Sequence, residues 1–325
     1  MDTSMMTLSL SLALTGYDHV RDVLSGEVRA QGIELLPLEL PIEEIFYRFT
    51  RFREWQVSEM SFGKVVALLS EERPDIIALP VFVSRVFRHS AIYLPEGSPI
   101  RQPKDLEGRR VGIPEWSQTA GIYVRGMLAH EYGVDLARIR WIQAGVREPG
   151  RIEKVELRLP AGLTIQREAD KTLIAMLAAG ELDAVMSARE LAAPRLFKDY
   201  RAVEAEYWKK TRIFPIMHVL VLKRDVYEAH RWIAMNLSKA FDEARRRSLA
   251  RVREFGISHL PVPWLPHHVQ HWRELAGDDF WPYGIEPNRP TLEAFFDYAY
   301  EQGVAKKRLR MEDVFAPETR EQFRI

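Results

Sequence analysis

The 325-residue chain contains no cysteine. Disulfide bridges and thiolate metal sites are thereby excluded. It also has no net charge, since Lys plus Arg number 46 and Asp plus Glu number 46. No global field draws it to nucleic acid or to an anionic membrane, so a cationic cluster must serve a local purpose. No stretch reaches the ~18 to 20 apolar residues of a membrane-spanning helix. Repeats and low-complexity linkers are missing too. The opening "MDTSMMTLSLSLALTGYDHV" has no basic stretch ahead of its apolar part, and Leu8 to Leu14 alternates Leu with Ser or Ala. That alternation is a strand signal rather than an export signal, and the expectation is a soluble cytoplasmic protein.

What is present alternates strand with helix, which implies α/β layers. After the first strand, "TGYDHVRDVLSGEVRAQG" reads as a loop and a helix closed by Gly32, and "IELLPLEL" as the next strand. "PIEEIFYRFTRFREW" reads as a helix with Phe46, Phe49 and Phe52 on one face. "QVSEMSFGKVVALLSEERP" reads as a turn and a helix. "DIIALPVF" is nearly all apolar, as expected in a parallel sheet covered on both faces. A second series follows: a strand at Arg109 to Ile113, a donor-rich turn at Trp116 to Ala120, and a helix from Gly121 to Tyr132 stopped by Gly133. "RIRWIQAG" is a further strand, "ADKTLIAMLAAGELDAVMSAR" a helix, a Gly180 stop and a strand, and "FPIMHVLVLKRDVYEAH" a strand and a helix. The last hundred or so residues read as mainly helical.

Several long words resemble the 4,5-dihydroxyphthalate decarboxylase family: "SEMSFGKVVALLSE", "ALPVFVSRVFRHSAIYL", "DLEGRRVGIPEWSQTAGIYVRGMLAHEYGV", "FPIMHVLVLKRDVYE" and "WPYGIEPNRPTLEAFFDYAYEQG". They run in order from Leu8 to the "FAPET" at Phe315 to Thr319. The resemblance implies a type 2 periplasmic-binding-protein-like fold: two α/β lobes with mixed sheets flanked by helices, and a ligand cleft between them. On that basis residues 1–91 plus 219–325 form one lobe and 92–218 the other, with chain crossings near Arg88 to Leu94 and Phe214 to Leu220.

The candidate site residues are those that such a cleft would collect. In "VFVSRVFRHSAIYL", Arg85, Arg88 and His89 follow an apolar strand with no acid beside them. Open α/β sheets bind ligands at strand exits, and an Arg fork matches a carboxylate bidentately. His89 titrates near neutrality and suits proton transfer. Asp18 and His19 in "TGYDH" leave the first strand, although Asp18 also suits a helix cap. Ser61, and Ser117, Gln118 and Thr119 in "SQT", precede helices whose free N–H groups favour anions. Arg189 in "SAR" ends another strand, and His218 lies in an apolar strand at the expected crossing. Arg125, inside a helix, is expected to face solvent. His267, His268 and His271 have helical metal-ligand spacing but no carboxylate built in, and are expected on a surface helix, so no metal site is assigned. Trp281, Tyr283 and Glu286 are expected to anchor the C-terminal region.

The resemblance implies loss of one carboxylate from 4,5-dihydroxyphthalate to give protocatechuate and CO2. Arg85, Arg88 and Arg189 would orient the small aromatic dicarboxylate, with Ser61 and Ser117 to Thr119 assisting. His19, His89, His218 and Asp18 form the acid/base pool. No cofactor is needed, since the ring can hold the electron pair, and a divalent metal is the mechanistic rival. The other readings are a non-catalytic solute-binding protein for an aromatic acid and a decarboxylase of a related hydroxylated acid. The aromatic stretch from Phe280 to Tyr300 suits a core or a homo-oligomer contact equally.

Overall fold

A computed structural model describes residues 7–320. The part of the N-terminal reading that rests on residues 1–6 lies outside them. The alternating segment Leu8–Leu14 is strand β1, and it runs parallel to β2 (Ile33–Glu39) and to β3 (Val57–Ser61). β4 (Ile76–Arg85) and β10 (Ile216–Lys223) complete a sheet of order β2-β1-β3-β10-β4. β10 is antiparallel to both its neighbours, so β4 points the same way as β1 and β3.

The second sheet holds β5 (Ile92–Tyr93), β6 (Arg110–Ile113), β7 (Arg140–Gly145), β8 (Ile165–Thr172) and β9 (Ala184–Met186), in the order β5-β9-β6-β7-β8. β6 to β9 are mutually parallel and β5 is antiparallel to β9. The helices are α1 (Arg21–Leu24), α2 (Ile42–Phe52), α3 (Phe62–Leu69), α4 (Thr119–Tyr132), α5 (Leu173–Ala178), α6 (Tyr200–Thr211), α7 (Arg224–Ala229), α8 (Ile233–Arg253), α9 (Leu265–Ala276), α10 (Arg289–Glu301) and α11 (Met311–Val314). Among the described residues no helix is long and apolar enough to cross a membrane.

These directions place the site. β1, β3 and β4 end, and β10 begins, on one edge of the first sheet. β6 to β9 end, and β5 begins, on one edge of the second. The chain passes from the first sheet to the second over residues 86–91 and returns over 187–215. The lobe limits expected from the sequence lie at the end of the first passage and just inside β10. Helix α10 packs against both α3 and α4, the helices that follow β3 and β6. The first turns of α3 and α4 meet closely: a Cβ on Gly63 would lie 2.4 Å from the Ser117 carbonyl oxygen, so only glycine permits this approach.

Four local expectations need correction. "VSEMS" is not a turn but β3, an interior strand buried along its whole length. β4 is apolar because both its faces are covered, yet its neighbour β10 is antiparallel and β4 lies at the sheet edge. The helix after Tyr17 is only a 3-10 turn at Asp18–Val20 and the four-residue α1. Phe46, Phe49 and Phe52 do not share a face, since each three-residue step falls about 60° short of a full turn; Phe49 is buried whereas Phe52 is 61% exposed.

Candidate active site

The registers bring together residues far apart in sequence. His218 on β10 stands opposite Ser61 on β3, and Leu220 opposite Glu59. Directly opposed residues share a face of the sheet, as do residues two apart. Glu59, Ser61 and His218 therefore project from one face. The His218 Nδ1 lies 2.8 Å from Glu59 Oε1, and Glu59 is completely buried while the His218 side chain keeps 21% of its surface. The Tyr17 hydroxyl donates to the same Glu59 oxygen at 2.6 Å, and the Thr15 N–H donates to Glu59 Oε2 at 2.9 Å. Burial first, and the Glu59 carboxylate second, push the Tyr17 phenol well above its ordinary pKa, so it stays a donor. Glu59 is thus an acceptor from three directions. It fixes the His218 ring with Nδ1–H toward itself and leaves Nε2 for a reacting partner. The Phe46 ring stands edge-on to His218 at 5.0 Å and confines it from the side of α2.

The other wall comes from the second sheet. Ser61 Oγ and Thr119 Oγ1 are 2.9 Å apart, and Thr119 Oγ1 also accepts from the Gly63 N–H at 2.9 Å. Ser117 donates its hydroxyl to Glu153. Lys64, in the first turn of α3, lies 3.5 Å from Glu115, which follows β6. Glu115 is buried, and it also receives Arg151 at 2.7 Å and Lys154 at 3.4 Å. Burial opposes its charge, but Lys64, Arg151 and Lys154 outweigh burial and hold the carboxyl below its ordinary range. A cavity of about 10 Å³, lined in part by Glu115, Gln118, Ser187 and Ala188, lies at this edge; that is room for about one water. Larger clefts of about 510 and 610 Å³ lie beside α9 and beside Lys306, away from His218. Among the described residues no group of three or more His, Asp or Glu side chains could hold a metal ion.

No protein-family model matches the chain. It is 33% identical over 330 residues to a 4,5-dihydroxyphthalate decarboxylase of Comamonas testosteroni, a match covering 99% of this chain and all of that protein. The chain belongs to the 4,5-dihydroxyphthalate decarboxylase family. A second member, from Pseudomonas putida, is 37% identical over 194 residues, covering 59% of this chain and 74% of that one. Among solved structures, the periplasmic aliphatic sulphonate binding protein SsuA from Escherichia coli matches with a TM-score of 0.50 at 14% identity, covering 96% of this chain and 99% of that one. It shares the fold expected of this decarboxylase, the periplasmic-binding-protein architecture.

Of the residues singled out in this family member, His218 and Ser61 are paired across β10 and β3 and Thr119 reaches Ser61, whereas the Ser117 hydroxyl is taken by Glu153 and Gln118 lines the small cavity. Arg88 borders the same region. Its guanidinium reaches the Met217 sulfur at 3.0 and 3.2 Å and the Ala188 carbonyl at 3.4 Å, with no carboxylate among these partners. Burial lowers it to about 10, so it remains a cation at neutral pH.

The remaining candidates have other partners. Arg85 is buried and donates to Phe214 O, Pro282 O and Asn288 Oδ1, which ties β4 to the C-terminal region instead of presenting a fork to a ligand. Asp18 accepts from Ser248 at 2.6 Å and from Arg251 at 3.3 Å; these partners outweigh burial and lower its pKa, so it fastens the N-terminal loop to α8. His19 is wedged against Tyr17, Trp281 and Tyr283, and burial lowers it to about 4. Arg189 is 55% exposed and pairs with Glu43 of α2, across from the second sheet. Arg125 does not face solvent: it is fully buried, stacks 3.7 Å over Trp116 and donates to Gln302 at 2.8 Å. His267, His268 and His271 lie exposed on α9 as expected.

His89 is enclosed by Tyr132, Phe197 and Tyr207, and its nearest acid oxygen, on Glu204, is 4.0 Å away. Burial lowers its pKa from 6.5 to about 4. The unfolded chain therefore takes up this proton first, and stability is lost as pH falls from about 6.5 toward 4. The melting temperature of a His89→Leu variant should fall less steeply than wild type across that window. Parallel slopes in the two proteins would show that His89 contributes nothing to it.

Glu59 escaped the sequence reading. The signal that could have found it is the alternation of "VSEMS", which places Ser61 and Glu59 on one face once the segment is a strand.

Proposed function

We propose that this chain removes one carboxylate from 4,5-dihydroxyphthalate, giving protocatechuate and CO2, with the ring held between the two sheet edges. The observation that carries this reading is the oriented Glu59–His218 pair, set opposite a wall of hydroxyl and cationic groups in a member of the decarboxylase family. Each carboxylate of the substrate is para to a hydroxyl. Loss of that hydroxyl's proton to solvent raises electron density on the ring carbon bearing the carboxylate. The His218 imidazolium then gives its Nε2 proton to that carbon, and the ring becomes a dienone. The carbon–carboxylate bond breaks, CO2 leaves, and the electron pair returns to the ring. The phenolate and His218 regain protons from solvent, so one proton is consumed per turnover.

Glu59 steadies the imidazolium between its two states, as a carboxylate does for a catalytic histidine. Arg88 meets one substrate carboxylate. The ring itself accepts the electron pair, so the proposal calls for no cofactor. Substrate entry in this proposal has the two lobes, 1–91 plus 219–325 and 92–218, part, since contacts between them close over His218. The ion pair of Arg189 and Glu43, and the Ser61–Thr119 contact, would break and re-form with that motion. A cytoplasmic location is part of the proposal, and cell fractionation tests it.

Chelator-treated protein incubated with 4,5-dihydroxyphthalate should form protocatechuate, read by chromatography. Product only after metal is added back would favour a metal-assisted route. Thermal stabilisation by the substrate without product would favour the solute-binding role, and neither response would mean that the ligand is another acid.

A further inference from the structure

Lys64 is a buried cation in an incomplete pairing. It is 4% exposed and occupies the first turn of α3, where the helix dipole disfavours positive charge. Its distance to Glu115 is 3.5 Å, long for a charge-assisted hydrogen bond, which is typically about 2.7–2.9 Å. Glu115 already holds Arg151 at 2.7 Å and has Lys154 at 3.4 Å, so three cations share one carboxylate. Burial lowers the Lys64 pKa, against the pull of Glu115. A cation so placed costs stability unless an anion completes its shell.

Its neighbours indicate where that anion would sit. The Lys64 ammonium lies 6.0 Å from the Phe46 ring centroid, and the same ring stands 5.0 Å from His218. Lys64 and His218 thus border the same aromatic ring. The substrate of the proposed reaction carries two adjacent carboxylates, of which one departs. Arg88 orients the departing carboxylate, and a second cation fixed there would further stabilise charge that the transition state disperses and would slow the reaction. On the retained carboxylate it binds ground and transition states alike.

We infer that Lys64 binds the retained carboxylate and is the residue by which the site selects ortho-dicarboxylates over monocarboxylates. This rests on the function proposed above, but its test does not need turnover. Phthalate and benzoate, which lack the para hydroxyl, are titrated calorimetrically against wild type and against Lys64→Met and Lys64→Gln. Phthalate affinity should fall roughly 10- to 100-fold in both variants, with benzoate affinity unchanged within about twofold. In turnover, KM for 4,5-dihydroxyphthalate should rise by a like factor with kcat little changed, as for uniform binding. Benzoate binding and thermal melts report that each variant is folded, and if the methionine variant fails to fold the glutamine variant alone carries the reading. Equal loss for both ligands, or no loss for phthalate, overturns the assignment. Absence of turnover in wild type with selective loss of phthalate binding would sink the decarboxylase reading and leave the Lys64 assignment standing.

Discussion

Replacing His218 by glutamine should lower kcat for 4,5-dihydroxyphthalate by about 10²- to 10⁴-fold, the usual contribution of a positioned general acid. The substitution keeps a side chain of similar reach and a polar group near Glu59, so the sheet edge need not rearrange. The carboxylate-binding groups Arg88 and Lys64 are untouched, and KM should move little. The loss then resides in the proton delivered to the ring carbon, a demand that arises only on the way to the transition state. Exchange offers a second reading. Wild-type enzyme held in deuterated water should place one deuterium on the ring carbon that lost CO2. A His218→Gln variant with near wild-type kcat would sink the assignment.

Glu59→Gln should cost about 10²- to 10⁴-fold in kcat, although nothing that contacts substrate changes. Glu59 accepts from Tyr17, Thr15 and His218 at 2.6, 2.9 and 2.8 Å. A carboxamide offers one oxygen in place of two and brings an NH2 that cannot accept. Facing His218 Nδ1, that NH2 favours the tautomer with the proton on Nε2, and no carboxylate remains to stabilise the imidazolium. Because the two residues act as one unit, the double variant should be little slower than the worse single variant. Losses that multiply would mean that Glu59 acts apart from His218. The buried Tyr17 hydroxyl and Thr15 N–H also lose part of their acceptor, so some stability should go with the activity. A thermal melt separates the two effects, since His218→Gln leaves those bonds in place.

Much of the architecture was readable because its signals are local. The alternation of Leu8 to Leu14, the apolar runs of β4 and β10 and the Gly133 stop each act over a few residues. The long words from "SEMSFGKVVALLSE" to "WPYGIEPNRPTLEAFFDYAYEQG" led to the family without any structure. β3 was misread because it is short and its alternating residues are Ser and Glu, not apolar residues facing a core. With it went Glu59, whose partner His218 lies 159 positions away on another strand.

The cations and histidines divide along the same line. The sequence by itself determined the composition limits, the alternation of strand and helix outside β3 and its neighbours, the family, and the presence of His218 in an apolar strand. Only the tertiary structure decided which charged groups are taken up by the protein's own carbonyls and carboxylates. Arg85 and Arg88 are three residues apart in one cationic stretch, yet the donors of Arg85 go to Phe214, Pro282 and Asn288, whereas those of Arg88 go to the Met217 sulfur and the Ala188 carbonyl. His89 beside them is shut in an aromatic cage. The physical reason is that a charge or an imidazole is defined by what surrounds it. Desolvation and partner distance are set by residues more than a hundred positions away, and no local pattern records them.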